Sequence, residues 1–381
     1  MAGTFFKDQA LALQCAGNRI DVAFVEHRSL RQMCLRDFRE SYFQVTETHE
    51  DGLFVLRQKG WNTILQTVPG ALIWVRLTER LVDSYVKKYG KPHILHAHNA
   101  LWGGYAASLI ARRLGIPYLI TEHSSAFLMG ELSARLAGYV TCAYAGASHV
   151  IAVSRNLAQA VNAHMGGRQA TVIPNVVDTE FFTPPSIVPA KIPFRFLSVG
   201  NLVDVKGFDV LIRAFATQSK GSTDELHIVG QGTQRPMLEA LVDALGIRSR
   251  VYFAGQLSRE EVREKMRTSH ALVLPSLRET FGVVLIEAMS IGLPVIATRS
   301  GGPDDIVTPD VGLLVEAGNS TLLSAALVQM RQSRHFNSGT IRNHAVNHFN
   351  RCEFNRRYDA IFAEILRRGS STSPSSQGGI S

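Results

Sequence analysis

Two carboxylates stand eight positions apart in the segment PSLRETFGVVLIEAMSIGLPVIATRSGG, residues 275–302, which reads as strand, loop, helix and strand. Glu279 falls in the loop after the first strand, at the edge where parallel α/β sheets bind ligands, although a solvated loop charge is the alternative. Glu287 lies in an almost wholly apolar helix, where a carboxylate is costly unless it is paired or accepts hydrogen bonds. Sugar hydroxyl groups would be suitable donors to Glu287, and the alternative is a structural carboxylate that caps a neighbouring loop.

The start of that helix suits a second kind of ligand, a phosphate group. We expect Thr280 to cap the helix and Gly282 to keep its first turn open to a ligand. The free N–H groups and the partial positive charge at a helix N-terminus both attract phosphate.

Lys206 marks a similar strand–loop–helix segment at residues 196–216, where it stands just before a helix with an apolar inward face. A cation beside a helix N-terminus is unfavourable unless an anion lies between them. Lys206 is therefore a candidate ligand for a diphosphate, and the alternative is a solvated surface lysine. Farther along, Gly230 and Gly232 begin a dinucleotide fingerprint, but Arg235 replaces its third glycine, so this segment is either a nucleotide loop or a turn.

Three histidines follow predicted strands earlier in the chain. His123 comes directly after the strand at 118–121, again at the edge where ligands bind, so we interpret it as functional. His96 and His98 are spaced like a pair of metal ligands, but the sequence offers no third ligand. We therefore expect these two to be structural rather than zinc ligands.

Short β-branched apolar runs alternate with helical patterns, which predicts an α/β protein with parallel sheets covered by helices on both faces. There are too many strands for one doubly wound sheet, and five prolines cluster in a linker-like stretch at residues 174–193. We therefore predict two Rossmann-like domains, residues 1–180 and 190–350, facing each other across a cleft. A helix with an apolar stripe follows at 353–368, and we expect the polar tail at 369–381 to be disordered.

The composition, with 45% hydrophobic and 19% charged residues in 381, excludes wholesale disorder. The net charge of +8 is divided evenly between residues 1–190 and 191–381 without a cluster of basic residues, which disfavours a nucleic-acid partner. The four cysteines have no metal-site spacing, so we expect buried, reduced thiols. With no long apolar stretch and no recognisable signal peptide, we expect a cytoplasmic protein.

The region from Trp61 to Lys91 leaves two interpretations open. It contains many large apolar residues, with Arg76, Arg80 and other basic residues close by. We favour a helix packed within the first domain. The alternative is a cation-rimmed apolar surface that contacts the inner face of the cell membrane, to which further arginines could add, namely Arg28, Arg31, Arg36 and Arg39.

Together these segments resemble the retaining glycosyltransferases of family 4, and the resemblance covers nearly the whole chain. The E-x7-E signature of that family corresponds to Glu279 and Glu287, followed by a glycine pair at 301–302. Its donor-phosphate segment corresponds to residues 199–207, and its interdomain segment to IPNVVDTEFF at 173–182. The resemblance implies the two-domain GT-B fold, with a final helix that crosses back to the N-terminal domain.

The resemblance also implies roles for individual residues. Glu287 would bind the ribose of a nucleotide-diphosphate sugar, Lys206 would neutralise the diphosphate leaving group, and His123 would reach the donor sugar from the acceptor-side domain. Glu279 would contact the donor sugar and its phosphate. Catalysis would be stabilisation of the leaving group in a closed cleft, with attack from the same face and without a metal or other cofactor. We place further residues at the donor site, namely Gly200, Asn201, Gly230, Thr280, Phe281 and Gly282.

Two features depart from the family pattern. Asn201 stands where family members usually have an arginine, which removes a positive charge and a bidentate phosphate contact. The first clear element is a helix at about Thr4 rather than a strand. We therefore expect that the first strand of the family is absent from this chain and that Gly3 is the remnant of its loop.

We predict an enzyme that moves a sugar from a nucleotide-diphosphate donor to a glycan or lipid-linked acceptor in the synthesis of cell-surface polysaccharide or glycolipid. The alternative is a nucleotide-sugar-binding protein with little or no activity, which Asn201 and the short start favour. A nicotinamide-dependent oxidoreductase is disfavoured, because the fingerprint at Gly230 lacks its third glycine and a following acidic residue.

Overall fold

The computed structural model describes residues 4–28, 44–62, 64, 67–187, 190, 192–218, 221–333 and 335–370. Its helices are α1 (Thr4–Cys15), α2 (Val68–Tyr89), α3 (Tyr105–Leu114), α4 (Ala126–Met129), α5 (Ala134–Ala145), α6 (Arg155–Asn162), α7 (Phe208–Gln218), α8 (Arg235–Ala244), α9 (Arg259–Arg267), α10 (Val283–Ile291), α11 (Ser320–Gln332), α12 (Ser338–Phe349) and α13 (Arg351–Ser370). Its strands are β1 (Asp21–Arg28), β2 (Val45–Glu50), β3 (Leu53–Trp61), β4 (Leu95–His98), β5 (Tyr118–Glu122), β6 (His149–Ala152), β7 (Thr171–Val172), β8 (Arg195–Val199), β9 (Glu225–Val229), β10 (Val251–Gly255), β11 (Ala271–Leu274), β12 (Val295–Arg299) and β13 (Gly312–Glu316). We call the elements from α1 to β7 the N-terminal half and those from β8 to α12 the C-terminal half.

The sheet of the C-terminal half has six parallel strands in the order β10-β9-β8-β11-β12-β13. The first strand of this half, β8, is central. The next two strands, β9 and β10, are added on one side of it, and β11, β12 and β13 are added on the other side. This is the strand order of a doubly wound Rossmann sheet. In such sheets the ligand crevice lies at the carboxyl ends of the two strands where the order reverses, which here are β8 and β11.

The N-terminal half contains two sheets. Strands β4, β5, β6 and β7 are parallel neighbours in chain order. Strand β1 pairs in parallel with β3, which also pairs antiparallel with β2. Parallel strands alternating with helices in both halves confirm the predicted α/β class with two Rossmann-like units. Gly3 lies outside the described residues, and the absence of a preceding strand stays a prediction.

The last helix, α13, packs against the N-terminal half. The Tyr358 hydroxyl shares a hydrogen bond of 2.8 Å with Thr121 Oγ1 of β5, and the Asn355 side chain donates to the carbonyl oxygen of Ala12 in α1 at 2.8 Å. The chain thus returns to the half where it began. The apolar stripe of α13 is buried against α1 and the β4–β7 sheet through Phe354, Tyr358, Ile361 and Ile365.

Sequence signals were sufficient for some elements and insufficient for others. A capping box of Ser258 and Glu261, a local sequence signal, begins α9. Strand β2 has no such signal: its sequence VTETHE is mostly exposed, so it is ordered by its pairing with β3 rather than by its own burial.

Two further expectations concern surfaces. Cys15, Cys142 and Cys352 are free thiols, but they are exposed, so the expectation that they are buried is wrong.

Helix α2 turns Val75, Leu81 and Val82 inward, as expected for a packed helix. None of the helices in the described ranges is long and apolar enough to cross a bilayer. Other residues named above lie outside the described residues, namely Cys34, Arg31, Arg36, Arg39 and the tail from 371 to 381.

Candidate functional site

Lys206 and Glu279 meet where the strand order of the six-stranded sheet reverses. Lys206 ends the single helical turn after β8, and Glu279 lies in the loop after β11. Lys206 Nζ lies 2.5 Å from Glu279 Oε2, and the hydroxyl group of Ser276 donates to the same oxygen at 3.2 Å. The lysine side chain is 25% exposed and the glutamate side chain 10%. Neither residue is therefore a solvated surface charge.

The main chain fixes the loop of Glu279. The N–H of Glu279 donates to the carbonyl oxygen of Ser300 at 2.9 Å, and the N–H of Gly302 donates to the carbonyl oxygen of Glu279 at 2.8 Å. Glu279 and Gly301 form an isolated parallel bridge. The glycine pair after β12 thus holds the backbone of this loop, and the Glu279 carboxylate is positioned by Lys206 and Ser276.

Helix α10 begins directly after this loop, with Gly282 as its N-cap. Gly282 has φ 97°, in the left-handed region, and no side chain caps the helix. The expectation that Thr280 caps it is therefore wrong, because Gly282 occupies the cap position. The N–H groups of the first turn are left without a side-chain partner and can bind an anion. Phe281 is 2% exposed with its ring in the core, so only its backbone can face a ligand.

Gly200 and Gly230 directly follow the neighbouring strands β8 and β9. A Cβ atom on Gly230 would lie 1.9 Å from the carbonyl oxygen of Gly200, and Gly230 has φ 142°, so only glycine fits there. The N–H of Gly200 donates to the carbonyl oxygen of Val229 at 3.0 Å. The loops after β8 and β9 are therefore in contact through their backbones. Asn201, the residue after Gly200, has an exposed side chain.

Glu287 lies in the second turn of α10, where burial raises the pKa of its carboxyl group to about 8. Arg259 lowers this pKa and Asp8 raises it, but burial is the largest cause. Within the described residues the Glu287 carboxyl group makes no hydrogen bond, so it does not act there as the cap of a neighbouring loop. A carboxyl group that holds its proton near neutral pH can both donate to and accept from hydroxyl groups.

Arg259, whose charge lowers the pKa of Glu287, is paired with a carboxylate of the other half of the molecule. Arg259 is the first residue of α9, and its two terminal nitrogens donate to the two carboxylate oxygens of Asp8 in α1 at 2.8 and 3.0 Å. The Asp8 side chain is 7% exposed. Sequence reasoning missed this pair, because the two residues are 251 positions apart and neither stands in a recognisable motif.

His123 follows β5, as predicted, but it is covered. The rings of Phe5 and Phe6 in α1 lie 4.8 and 5.1 Å from its imidazole, and the residue is only 9% exposed. His123 Nε2 lies 3.2 Å from His98 Nδ1. His123 Nδ1 is buried with no hydrogen-bond partner among the described residues. The imidazole thus has one nitrogen available, behind two phenylalanine side chains.

The neighbouring histidines are neutral near pH 7. Burial lowers the pKa of His98 to about 4 and also lowers the pKa values of His96 and His123. His96 Nε2 shares a hydrogen bond of 2.8 Å with Thr121 Oγ1, which suits a structural histidine. Over the described part of the chain, no three His, Cys, Asp or Glu side chains are grouped to hold a metal ion.

Two residues that sequence reasoning missed hold the loop of His123. Glu122 is fully buried and accepts hydrogen bonds from the N–H groups of Ala100, His123 and Ser124 and from the Tyr144 hydroxyl. The side chain of Asn99 also accepts from the N–H of His123, at 3.0 Å. A carboxylate in the buried run YLITE was the available signal for Glu122.

The loop of Glu279 contacts the N-terminal half close to His123. Arg278, next to Glu279, donates a hydrogen bond to the carbonyl oxygen of Leu128 in α4, the helix that follows His123. The predicted residues therefore form two groups, one in each half, and the Arg278–Leu128 hydrogen bond joins the loops beside them. One group contains Lys206, Glu279 and the start of α10, and the other contains His123 and its supports.

Two family models match the chain, one for each half. The model described as Glycosyltransferase Family 4 matches residues 9–181, and the model described as Glycosyl transferases group 1 matches residues 183–343. An uncharacterised glycosyltransferase of Methanocaldococcus jannaschii is 31% identical over 71% of this chain and 75% of its own length. One component of the human phosphatidylinositol N-acetylglucosaminyltransferase is 28% identical over 62% of this chain, but the match spans only 50% of that protein. A Bacillus subtilis protein named for teichuronic acid biosynthesis is 25% identical over 86% of this chain and 84% of its own length.

Solved structures with the same fold superpose on almost the whole chain. A sucrose-phosphate synthase of Thermosynechococcus elongatus superposes with a TM-score of 0.80 at 21% identity, covering 96% of this chain and 93% of that one. Anabaena HepE in complex with UDP and glucose superposes with a TM-score of 0.69 at 19% identity, covering 91% of this chain and all of that one. With both halves matched and a relative above 30% identity, the chain belongs to the group 1 and family 4 glycosyltransferases of GT-B fold.

Proposed function

We propose that this protein transfers a sugar from a nucleotide-diphosphate sugar to a glycan or lipid-linked acceptor, with retention of anomeric configuration. The observation that carries the proposal is the Lys206–Glu279 pair at the reversal point of the six-stranded sheet. A diphosphate bound there would meet a lysine cation and the uncapped N-terminus of α10.

The reaction would break the bond between the anomeric carbon and the diphosphate oxygen and form a bond to an acceptor hydroxyl oxygen, whose proton leaves with the nucleotide diphosphate. Negative charge grows on the diphosphate as its bond breaks, so a cation and N–H groups aimed at it stabilise the transition state more than the ground state. Glu279, held by Ser276, keeps Lys206 in this position and can accept hydrogen bonds from donor hydroxyl groups. Glu287 would bind the ribose.

The names of the relatives support this donor and acceptor chemistry. HepE was solved with UDP and glucose, so we propose a UDP-sugar as the first donor to test. The human relative is named for transfer of N-acetylglucosamine to a phosphatidylinositol, and the Bacillus relative for synthesis of a polysaccharide. We therefore propose a role in polysaccharide or glycolipid synthesis.

Release of the nucleotide diphosphate from UDP- and GDP-sugars tests the assigned roles. We expect Lys206→Ala and Glu279→Ala each to lower kcat roughly 100-fold, the usual effect of removing one group that stabilises transition-state charge. Arg248→Ala, at an exposed arginine after α8, is the control and should keep full activity. Unchanged turnover in both site variants would refute the roles.

Retention and independence of metal are separate parts of the proposal. Retention rests on the resemblance to retaining family members, and the proton NMR coupling at the anomeric position of the product would test it directly. An inverted product would contradict it.

Because Lys206 would supply the positive charge at the diphosphate, we expect activity to persist after dialysis against EDTA. Loss of activity that Mg²⁺ restores would contradict this.

Nucleotide-sugar binding without transfer is the second candidate. It is favoured by Phe5 and Phe6, whose rings pack against the mostly buried imidazole of His123, and by Asn201 in place of an arginine. Two results together would establish this alternative. Titration calorimetry would show tight nucleotide binding, and no nucleotide diphosphate would be released from any donor tested.

We also propose that the protein works in the cytoplasm, in contact with the inner face of the membrane. Exposed free thiols at Cys15, Cys142 and Cys352 suit a reducing compartment. The outer face of α2 exposes Ile73, with basic residues at Arg76, Arg80 and Lys87, which would attract anionic lipid by charge. If anionic vesicles at low salt do not retain the protein, the membrane contact is refuted.

A further inference from the structure

A cavity of about 790 Å³ lies between the two halves of the molecule, beside the loop of Glu279. Its N-terminal wall is the start of α6, and its C-terminal wall consists of the loops after β11 and β12. Polar side chains form most of the lining. The charged lining residues are Arg155, Arg278, Arg299, Asp304 and Asp305.

Two arginines of the cavity are balanced by carboxylates. Asp305 accepts hydrogen bonds from the backbone N–H and from Nε of Arg155, both at 2.6 Å. Arg299 Nη1 lies 3.5 Å from Asp304 Oδ1. These two pairs contribute no net charge to the cavity.

Arg278 is not balanced in this way. Its guanidinium group donates to the carbonyl oxygen of Leu128, and no carboxylate pairs with it within the described residues. Its side chain belongs to the exposed part of the loop. The cavity therefore carries one surplus positive charge, and that charge lies next to Glu279 in the chain.

Two amides in the cavity are available for hydrogen bonding. Asn156 and Gln159 project from the first turns of α6, and their side-chain amides have no hydrogen-bond partner in the described part of the chain. Amides together with arginine–aspartate pairs offer both donors and acceptors, which the hydroxyl groups of a saccharide require. An apolar ligand would leave these groups unpaired.

The cavity is distinct from the candidate donor site. Lys206, Glu279 and Glu287 do not line it. The cavity is nonetheless adjacent to the donor site. Two residues of its wall, Ser300 and Gly301, are paired with the backbone of Glu279 through a hydrogen bond and a β-bridge. A molecule in the cavity would therefore lie beside a donor sugar held at Glu279.

We propose that this cavity binds the acceptor, and that the acceptor is a saccharide with an anionic group, either a carboxylate or a phosphate, that pairs with Arg278. Asn156 and Gln159 bind its hydroxyl groups. This inference rests on the proposed function, because it assigns the second substrate of the same reaction.

Titration calorimetry of the full chain, with and without saturating UDP, tests the inference using three probes: methyl glucuronide, glucose 6-phosphate and methyl glucoside. We expect at least one anionic probe to bind about fivefold more tightly than the neutral one at low salt, the effect of one partly exposed ion pair. The two anionic probes distinguish a carboxylate from a phosphate. Arg278→Gln should abolish the preference, whereas Arg248→Gln, at an exposed arginine after α8, should retain it.

Three results would overturn the inference. They are equal binding of charged and neutral probes, a preference that survives Arg278→Gln, and displacement of the probes by UDP-glucose, which would place them in the donor site. Failure of UDP itself to bind would instead refute the proposed function. The two failures can be told apart, because the preference for an anionic probe is also measured in the absence of UDP.

Discussion

Burial of Glu287 favours its protonated form, since the pKa of its carboxyl group is raised from 4.5 to about 8. Between these pH values the folded chain holds more protons at this site than the unfolded chain does. The contribution of Glu287 to the free energy of unfolding is therefore full below about pH 4.5 and decreases as the pH rises towards 8. We predict that Glu287→Gln is stabilising and that its advantage over the native chain grows between pH 5 and pH 8, as measured by urea unfolding.

The control for this prediction is Glu316→Gln, at an exposed glutamate that ends β13. Its effect on stability should stay nearly constant over the same pH range. A Glu287→Gln advantage that is also constant would show that the Glu287 carboxyl group is ionised in the folded chain. The same variant should bind UDP more weakly if Glu287 holds the ribose.

Also at the residue scale, we predict that His98 positions the imidazole of His123 for catalysis, through the 3.2 Å contact between their nitrogens. If His123 acts in the reaction, His98→Leu should lower kcat by roughly tenfold to 100-fold, because misplacing a reacting group by about 1 Å costs that much. The affinity for UDP should not change. His98→Asn, which keeps a hydrogen-bonding group, should restore part of the kcat. Equal losses in the Leu and Asn variants would argue against this role.

At the scale of elements, α13 is attached to β5 by the buried hydrogen bond between Tyr358 and Thr121. We predict that Tyr358→Phe lowers the free energy of unfolding by about 1 kcal/mol, the net value of one such bond, since Thr121 retains His96 as a partner. Asp359→Asn, one position along on the exposed side of the helix, should have almost no effect. Urea unfolding measures both variants, and equal stability of the native and Tyr358→Phe chains would contradict the prediction.

Elements and site residues differ in how far the sequence predicts them. The apolar stripe of α13 is a local signal, and this helix forms and is buried as expected. The Lys206–Glu279 pair was anticipated only as two separate residues, because their contact depends on the order in which β8 and β11 pair. The cover of Phe5 and Phe6 over His123 could not be read from the sequence, since it depends on where α1 packs.

At the scale of the whole molecule, Asp8 and Arg259 join the two halves through a largely buried ion pair. We predict that Arg259→Leu lowers the free energy of unfolding by about 3 kcal/mol, because it leaves the Asp8 carboxylate buried and unpaired. Asp8→Leu combined with Arg259→Leu should cost much less than the sum of the two single changes. Strictly additive effects in this double-mutant cycle would show that the pair does not couple the halves.

The central claim is that a nucleotide diphosphate binds where β8 and β11 diverge, with its phosphates at Lys206. Titration calorimetry with UDP and with uridine, on the native chain and on Lys206→Ala, tests this claim most directly. We predict that Lys206→Ala weakens UDP binding about tenfold or more and leaves uridine binding unchanged, since a charge-assisted contact to phosphate is lost. An unchanged affinity for UDP, or an equal loss for UDP and uridine, would contradict the claim.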